Sequence, residues 1–231
     1  MAVVVAASSE TRAAEFDSER ASVLGCRDCR LAETRIQVVY GAGNPNAELL
    51  FVGEAPGFHE DQQGLPFVGA AGKLLSRLLG DIGLAREDVF IANVLKCRPP
   101  GNRDPLQDEI DACQKHLFRQ IELIQPRVVA TLGNFATKLL SSNPAGITRV
   151  HGVEQPIVLG GSRVLLYPLF HPAAALYTQA MLAVLEEDFR RIPELIAHQL
   201  DPTQGVSVAE TAAVSVEPAE TENPDLQLGL F

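Results

Sequence analysis

Four cysteines and three polar residues carry the chemistry this chain can do. Cys26 and Cys29 form a C-x-x-C pair; Cys97 and Cys113 follow singly, and there are no others. A reduced chain that spends every thiol on one pair and two distant singles fits a metal centre better than disulfides. Four thiolates with no histidine suit a structural zinc as well as an iron–sulfur cluster. The spacing is C-x2-C, a gap of 67 residues, then C-x15-C, so the second half is not the tight knuckle typical of zinc ribbons. Basic residues flank these arms: Arg27, Arg30, Arg35, Lys96, Arg98 and Arg103. If the cysteines meet, these side chains form a basic stripe that would face a negative partner.

Those residues need elements to hold them. Glu48–Val52 predicts a buried strand and Ala70–Ile82 a helix with Leu74, Leu75, Leu78, Leu79 and Ile82 inward. Val89–Val94 predicts a second strand. A helix is expected to start with Asp104 as N-cap, Pro105 at N1 and Gln107 at N3, and to run to about Ile124. Arg127–Leu132 and Arg163–Phe170 predict further strands, and Pro172 opens one long helix ending near Leu200. Strands alternating with helices imply an α/β three-layer sandwich, a central mostly parallel sheet flanked by helices. Glu54, Asn93 and His171 each fall at the carboxyl end of a predicted strand, the edge where open α/β sheets bind ligands.

The chain has 231 residues, 46% of them hydrophobic, which suits a soluble globular body. No apolar run is long enough to span a bilayer. Met1–Ala7 is apolar but short and lacks a basic flank, so no signal peptide is expected and the compartment reads as cytoplasm. The net charge of −10 is concentrated at the ends: residues 197–231 hold six acids and no Lys or Arg. The central body is close to neutral and can still carry a local basic stripe. Residues 1–14 are expected to be a flexible N-terminus, 15–198 the folded domain, and 199–231 a disordered acidic tail. That tail ends in Gln227-Leu228-Gly229-Leu230-Phe231, which resembles the short peptide by which bacterial repair and replication proteins bind the sliding clamp.

Several stretches together resemble the family 4 uracil-DNA glycosylases. These are Gly53-Glu54-Ala55-Pro56-Gly57-Phe58-His59-Glu60-Asp61, Gly64-Leu65-Pro66-Phe67-Val68-Gly69, Asn93-Val94-Leu95-Lys96-Cys97-Arg98-Pro99-Pro100 and His171-Pro172. The resemblance covers roughly residues 24–195. It implies a [4Fe–4S] cluster on Cys26, Cys29, Cys97 and Cys113, and hydrolysis of the bond between uracil and deoxyribose in DNA. Such an enzyme must flip the nucleotide out of the stack at a cost of a few kcal/mol.

On that reading Phe67 offers a face to the flipped pyrimidine. The Asn93 amide fork matches uracil N3–H and O4, where cytosine presents the reverse polarity. A neutral His171, its cationic form disfavoured by a helix N-terminus, donates to uracil O2 as charge grows there. Glu54 or Glu60 orients water or stabilises the sugar cation, and Glu60 could also exclude a thymine methyl. Ala55 cannot act as a base, but its backbone lines the substrate. His59 and Asp61 are read as solvent-facing. Arg98 and Arg103 are expected on DNA phosphates, and Leu176 as a wedge in the duplex. A monomer is expected. Two other readings stay open: an iron–sulfur DNA-binding module without hydrolase activity, and a glycosylase for another deaminated base such as hypoxanthine or xanthine.

Overall fold

The computed structural model describes residues 9–141, 143–197 and the short strand Ser207–Val208. Its strands are β1 (Ala42–Gly43), β2 (Leu49–Gly53), β3 (Phe90–Asn93), β4 (Val128–Leu132), β5 (Gln155–Leu159), β6 (Ser162–Leu169) and β7 (Ser207–Val208). They form one sheet in the order β1-β3-β2-β4-β6-β5-β7. The four central strands β3, β2, β4 and β6 run parallel; β1 and β5 pair antiparallel with β3 and β6. The helices are α1 (Ser9–Leu24), α2 (Phe58–Gln63), α3 (Ala70–Asp81), α4 (Gln107–Ile124), α5 (Asn134–Ser141), α6 (Ile147–Val150), α7 (Pro172–Ala175), α8 (Gln179–Arg190) and α9 (Ile192–Ala197).

The central strands are apolar along their length because both faces are covered, so alternate residues enter different cores. Leu50, Val52, Phe90 and Ala92 pack with Phe16 and Val23 of α1 and with Leu117 and Ile121 of α4. Leu49, Phe51, Ile91 and Ala130 pack with Leu75, Leu78 and Leu79 of α3 and with Leu185 and Phe189 of α8. The expected three-layer α/β sandwich is therefore the architecture found. From β2 the chain moves to β3 on one side, then crosses to β4 on the other. The loops leaving β2 and β4 thus diverge and open a crevice at their carboxyl ends.

Several expectations are corrected. The stretch 1–14 was expected to be flexible, but α1 begins at Ser9. Glu15 pairs with Arg119 of α4 at 2.6 Å, and Phe16 packs edge-on against Tyr40 and Phe90. The weak amphipathic pattern of α1 hid it. Helix α4 starts two residues later than the Asp104 cap implied. Glu109, fully buried, accepts the Leu106 N–H at 3.0 Å and makes Leu106 the N-cap. The single helix expected after Pro172 is three. Thr178 has extended backbone (φ −136°, ψ 107°) between α7 and α8, and Pro193, unable to donate, sits where α9 restarts. Ser207–Val208 lies in the tail expected to lack structure, yet pairs in parallel with β5 as the outermost strand. The peptide 227–231 lies outside the described residues. Among those described, no helix is long and apolar enough to cross a membrane.

Candidate active site

Strand register brings the predicted polar residues to one edge. Gly53 lies beside Asn93, and Leu132 beside Leu169, so Glu54, Asn93, Gly133 and His171 share the carboxyl end of the sheet. Beyond the strands, Val94 and Leu95 donate to the carbonyls of Gly53 and Glu54, which extends the pairing into the loops. Gly53 is required here. A Cβ on it would stand 2.4 Å from Asn93 Oδ1 and 2.8 Å from Phe67 Cζ. Phe67 and Asn93 therefore converge on a bare backbone position. The Phe67 ring also lies in a stacked arrangement with His171, centroids 5.6 Å apart and planes 29° from parallel. Three separate segments, carrying Phe67, Asn93 and His171, meet at this edge.

Asn93 is 2% exposed, and its Oδ1 is buried without a hydrogen-bond partner. A buried amide oxygen left unpaired costs about 1–3 kcal/mol, so it is an acceptor awaiting a donor. His171 is the N-cap of α7; its Nδ1 accepts the Ala173 N–H at 3.1 Å. That bond places the ring proton on Nε2, the atom left to donate. Burial lowers the His171 pKa to about 4, with the Glu60 charge opposing, so the imidazole is neutral at ordinary pH. Burial, rather than the helix dipole expected to disfavour the imidazolium, is the leading cause, since α7 has only four residues.

The two glutamates divide. Glu54 is half-buried, and burial, helped by the Asp104 charge, raises its pKa to about 7. Glu60 turns toward the protein: its Oε1 accepts the N–H groups of Val68 (2.9 Å) and Gly69 (3.1 Å). Ala55 is half-buried and packs against the α1–α4 side of the core. Asp61 was read as solvent-facing, but it is 2% exposed and accepts the N–H groups of Ile36 and Gln37. Phe67 has φ 52°, the left-handed region that non-glycine residues avoid at a cost of about 1–3 kcal/mol. Arg86, which sequence reasoning missed, donates from Nη1 to Phe67 O (3.1 Å) and from Nη2 to Pro66 O (2.7 Å). No spacing rule links it to the loop; only the fold brings them together.

The four cysteines are free thiols that line one cavity with Val23, Asp28, Arg35, Lys96, Ala112 and His116. Arg35 donates to Cys97 Sγ at 3.3 Å, and the Lys96 N–H donates to Cys113 Sγ at 3.3 Å. Burial pushes the Cys97 thiol up to about 11 despite Arg35, so a positive centre is needed to hold it as thiolate. Cys26, Asp28 and His116 also place one ligand atom each within 4.8 Å of one another. Asp28, however, is paired with Lys115 at 2.5 Å, and His116 Nδ1 lies 3.2 Å from Glu19 Oε1. Lys96 is fully buried. Its Nζ donates to Asn93 O (2.7 Å) and Gln120 Oε1 (2.6 Å), linking the cysteine cavity to the carboxyl end of β3.

The predicted basic stripe is largely committed elsewhere. Arg103, expected on phosphate, forks onto Glu109 at 2.6 and 2.9 Å because that fully buried carboxylate needs a counter-charge. Arg30 pairs with Asp108 and Arg35 faces the cysteines. Arg98 lies over the exposed Phe58 ring at 5.1 Å and donates to Asn102. Leu176 (41% exposed) and Tyr177 (66%) stand out from the chain just after α7.

A neutral histidine, a buried amide oxygen without a partner and an aromatic ring come together at one edge of an α/β sheet, groups able to stack on and hydrogen-bond a planar polar heterocycle. A family model described as the uracil DNA glycosylase superfamily matches residues 40–192. A type-4 uracil-DNA glycosylase of Sulfurisphaera tokodaii is 49% identical over 178 residues, 75% of this chain and 81% of that protein. Type-4 enzymes of Archaeoglobus fulgidus and Thermotoga maritima are 48% and 43% identical, over 89% and 94% of their lengths. The chain belongs to the uracil-DNA glycosylase superfamily.

Proposed function

We propose that this chain excises uracil from DNA by hydrolysing its N-glycosidic bond, leaving an abasic site. The observation that carries this reading is the buried, unpartnered Asn93 Oδ1 beside the Phe67 ring. Uracil N3–H supplies the missing donor, and the amide NH2 meets O4. Cytosine offers an acceptor and a donor in the opposite order and leaves both groups unpaired. The flipped ring stacks on Phe67, a contact worth about 1–3 kcal/mol per base.

As the C1′–N1 bond breaks, its electron pair moves into the uracil ring and onto O2. The His171 Nε2–H stabilises that charge without giving up its proton. The sugar is left electron-poor at C1′, where water adds. Glu54, with a pKa near 7, orients that water and helps it lose a proton. Glu60, engaged with two backbone amides, acts on the shape of the loop.

Cys26, Cys29, Cys97 and Cys113 would hold a [4Fe–4S] cluster. It would supply a rigid tie between the end of α1, the Cys97 loop and α4. Held in this way, the Cys97 loop would steady Arg98, the remaining candidate for a phosphate contact, and Leu176 is the candidate wedge. The Gln227–Phe231 peptide is read as a clamp-docking element, tested by comparing sliding-clamp binding of the full chain with one lacking residues 227–231.

The test of the main reading is incubation with single- and double-stranded oligonucleotides carrying one uracil, followed by alkaline cleavage. Strand scission at the uracil position supports it. Binding without scission would favour a DNA-binding module instead.

A further inference from the structure

We propose that Arg86 is a positioning residue for this reaction: its guanidinium fork, acting with Glu60, holds the Phe67 ring in the orientation that receives the flipped base. This rests on the base-stacking role given to Phe67 above. Four consecutive residues, Pro66 to Gly69, are gripped by two side chains of opposite charge. Arg86 takes the carbonyls of Pro66 and Phe67. Glu60 takes the N–H groups of Val68 and Gly69. Arg86 sits outside the base pocket, with Ser76 Oγ 3.5 Å from Nη1.

The backbone needs this grip. At φ 52° Phe67 is in a region that a β-carbon disfavours, so a looser loop would turn toward extended backbone and swing the ring away. The carbonyl that Arg86 binds is also wedged against α3: a Cβ at Gly72 would lie 1.7 Å from Phe67 O. Gly72 lets the carbonyl approach, and Arg86 satisfies it there. A planar fork with two parallel donors fits two successive carbonyls, which the single ammonium of lysine cannot match. The ring so fixed meets Gly53, Asn93 and His171 together.

The experiment is a double-mutant cycle on the full chain: wild type, Arg86→Met, Phe67→Ala and the pair, with kcat/KM measured on a single-stranded uracil oligonucleotide. Phe67→Ala should lower kcat/KM about 10-fold or more, within the range of one lost base stack. Arg86→Met should lower it about 10-fold when Phe67 is present and less than about 2-fold when it is absent, because no ring remains to be placed. Arg86→Lys, which keeps the charge without the fork, should fall nearly as far as the methionine variant and serves if that variant does not fold. Equal losses from the Arg86 change in both backgrounds would overturn the proposal, since general damage to the fold does not depend on the ring. An Arg86 variant as active as wild type would also overturn it. A fully active Phe67→Ala would remove the stacking reading itself, and the proposal with it.

Discussion

Replacing His171 isolates the step at which charge leaves the sugar. In the structure its Nδ1 is occupied by the Ala173 N–H, and only Nε2 carries a proton to give. His171→Ala removes that donor from the developing oxyanion. Loss of one preorganised donor typically costs about 2.7–4 kcal/mol, or about 10²–10³ in rate. It also removes the cap of α7, worth about 0.5–2 kcal/mol of stability. The two effects are separable. His171→Asn keeps a side-chain oxygen for the Ala173 N–H but places no donor where the imidazole Nε2 stood. The assay is single-turnover uracil release from a labelled oligonucleotide, with DNA affinity measured alongside. Both variants should lose about 10²–10³ in the chemical step, keep DNA binding within a few-fold, and differ in melting temperature. Because burial holds the His171 pKa near 4, the wild-type rate should show no limb from this residue between pH 5 and 8. A His171→Ala enzyme within a few-fold of wild type, or a wild-type rate that rises as an imidazolium forms below about pH 6.5, the ordinary histidine value, would refute the reasoning.

Asn93→Asp should reduce the preference for uracil over cytosine by about 10-fold or more, since one mismatched buried group is worth about 1–3 kcal/mol; competition between the two oligonucleotides measures it, and an unchanged ratio removes Asn93 from base reading. Glu54 has a folded pKa raised to about 7, so its carboxylate form, and the rate, should decline as pH falls through that value. Glu54→Gln should abolish that limb and lower the plateau by about 10²-fold or more; the same limb in the variant would exclude Glu54. The same shift predicts that this carboxyl destabilises the fold progressively as pH rises from the ordinary carboxylate range through about 7, so Glu54→Gln should melt higher at pH 8. Cys97→Ala should remove the brown visible absorbance that a cluster would give and lower the melting temperature more than any pocket variant; a colourless wild type, or a variant that melts with it, would remove the cluster.

Much of this site could be read before the fold was known, and the reason is topological. In a parallel α/β sheet, a polar residue just past an apolar strand lands at the ligand edge whatever the rest does. That rule places Glu54, Asn93 and His171 correctly. Partner choice was not legible. Arg103 sits in a run of basic residues, and only the buried position of Glu109, six residues on, draws it inward. Asp61 and Glu60 stand one residue apart in a short helix, so their opposite surroundings follow from which loop each meets. Arg86 lies in the α3–β3 connection with no motif around it. Helix α1 was missed because its apolar residues are few, although two of them, Phe16 and Val23, are buried.

The most direct measurement is the crystal structure of this chain with free uracil, the product, bound. The ring should lie against Phe67, with N3–H and O4 at the Asn93 amide and O2 facing His171 Nε2. Uracil seated elsewhere, or lying with O2 toward Asn93 and away from His171, would contradict it.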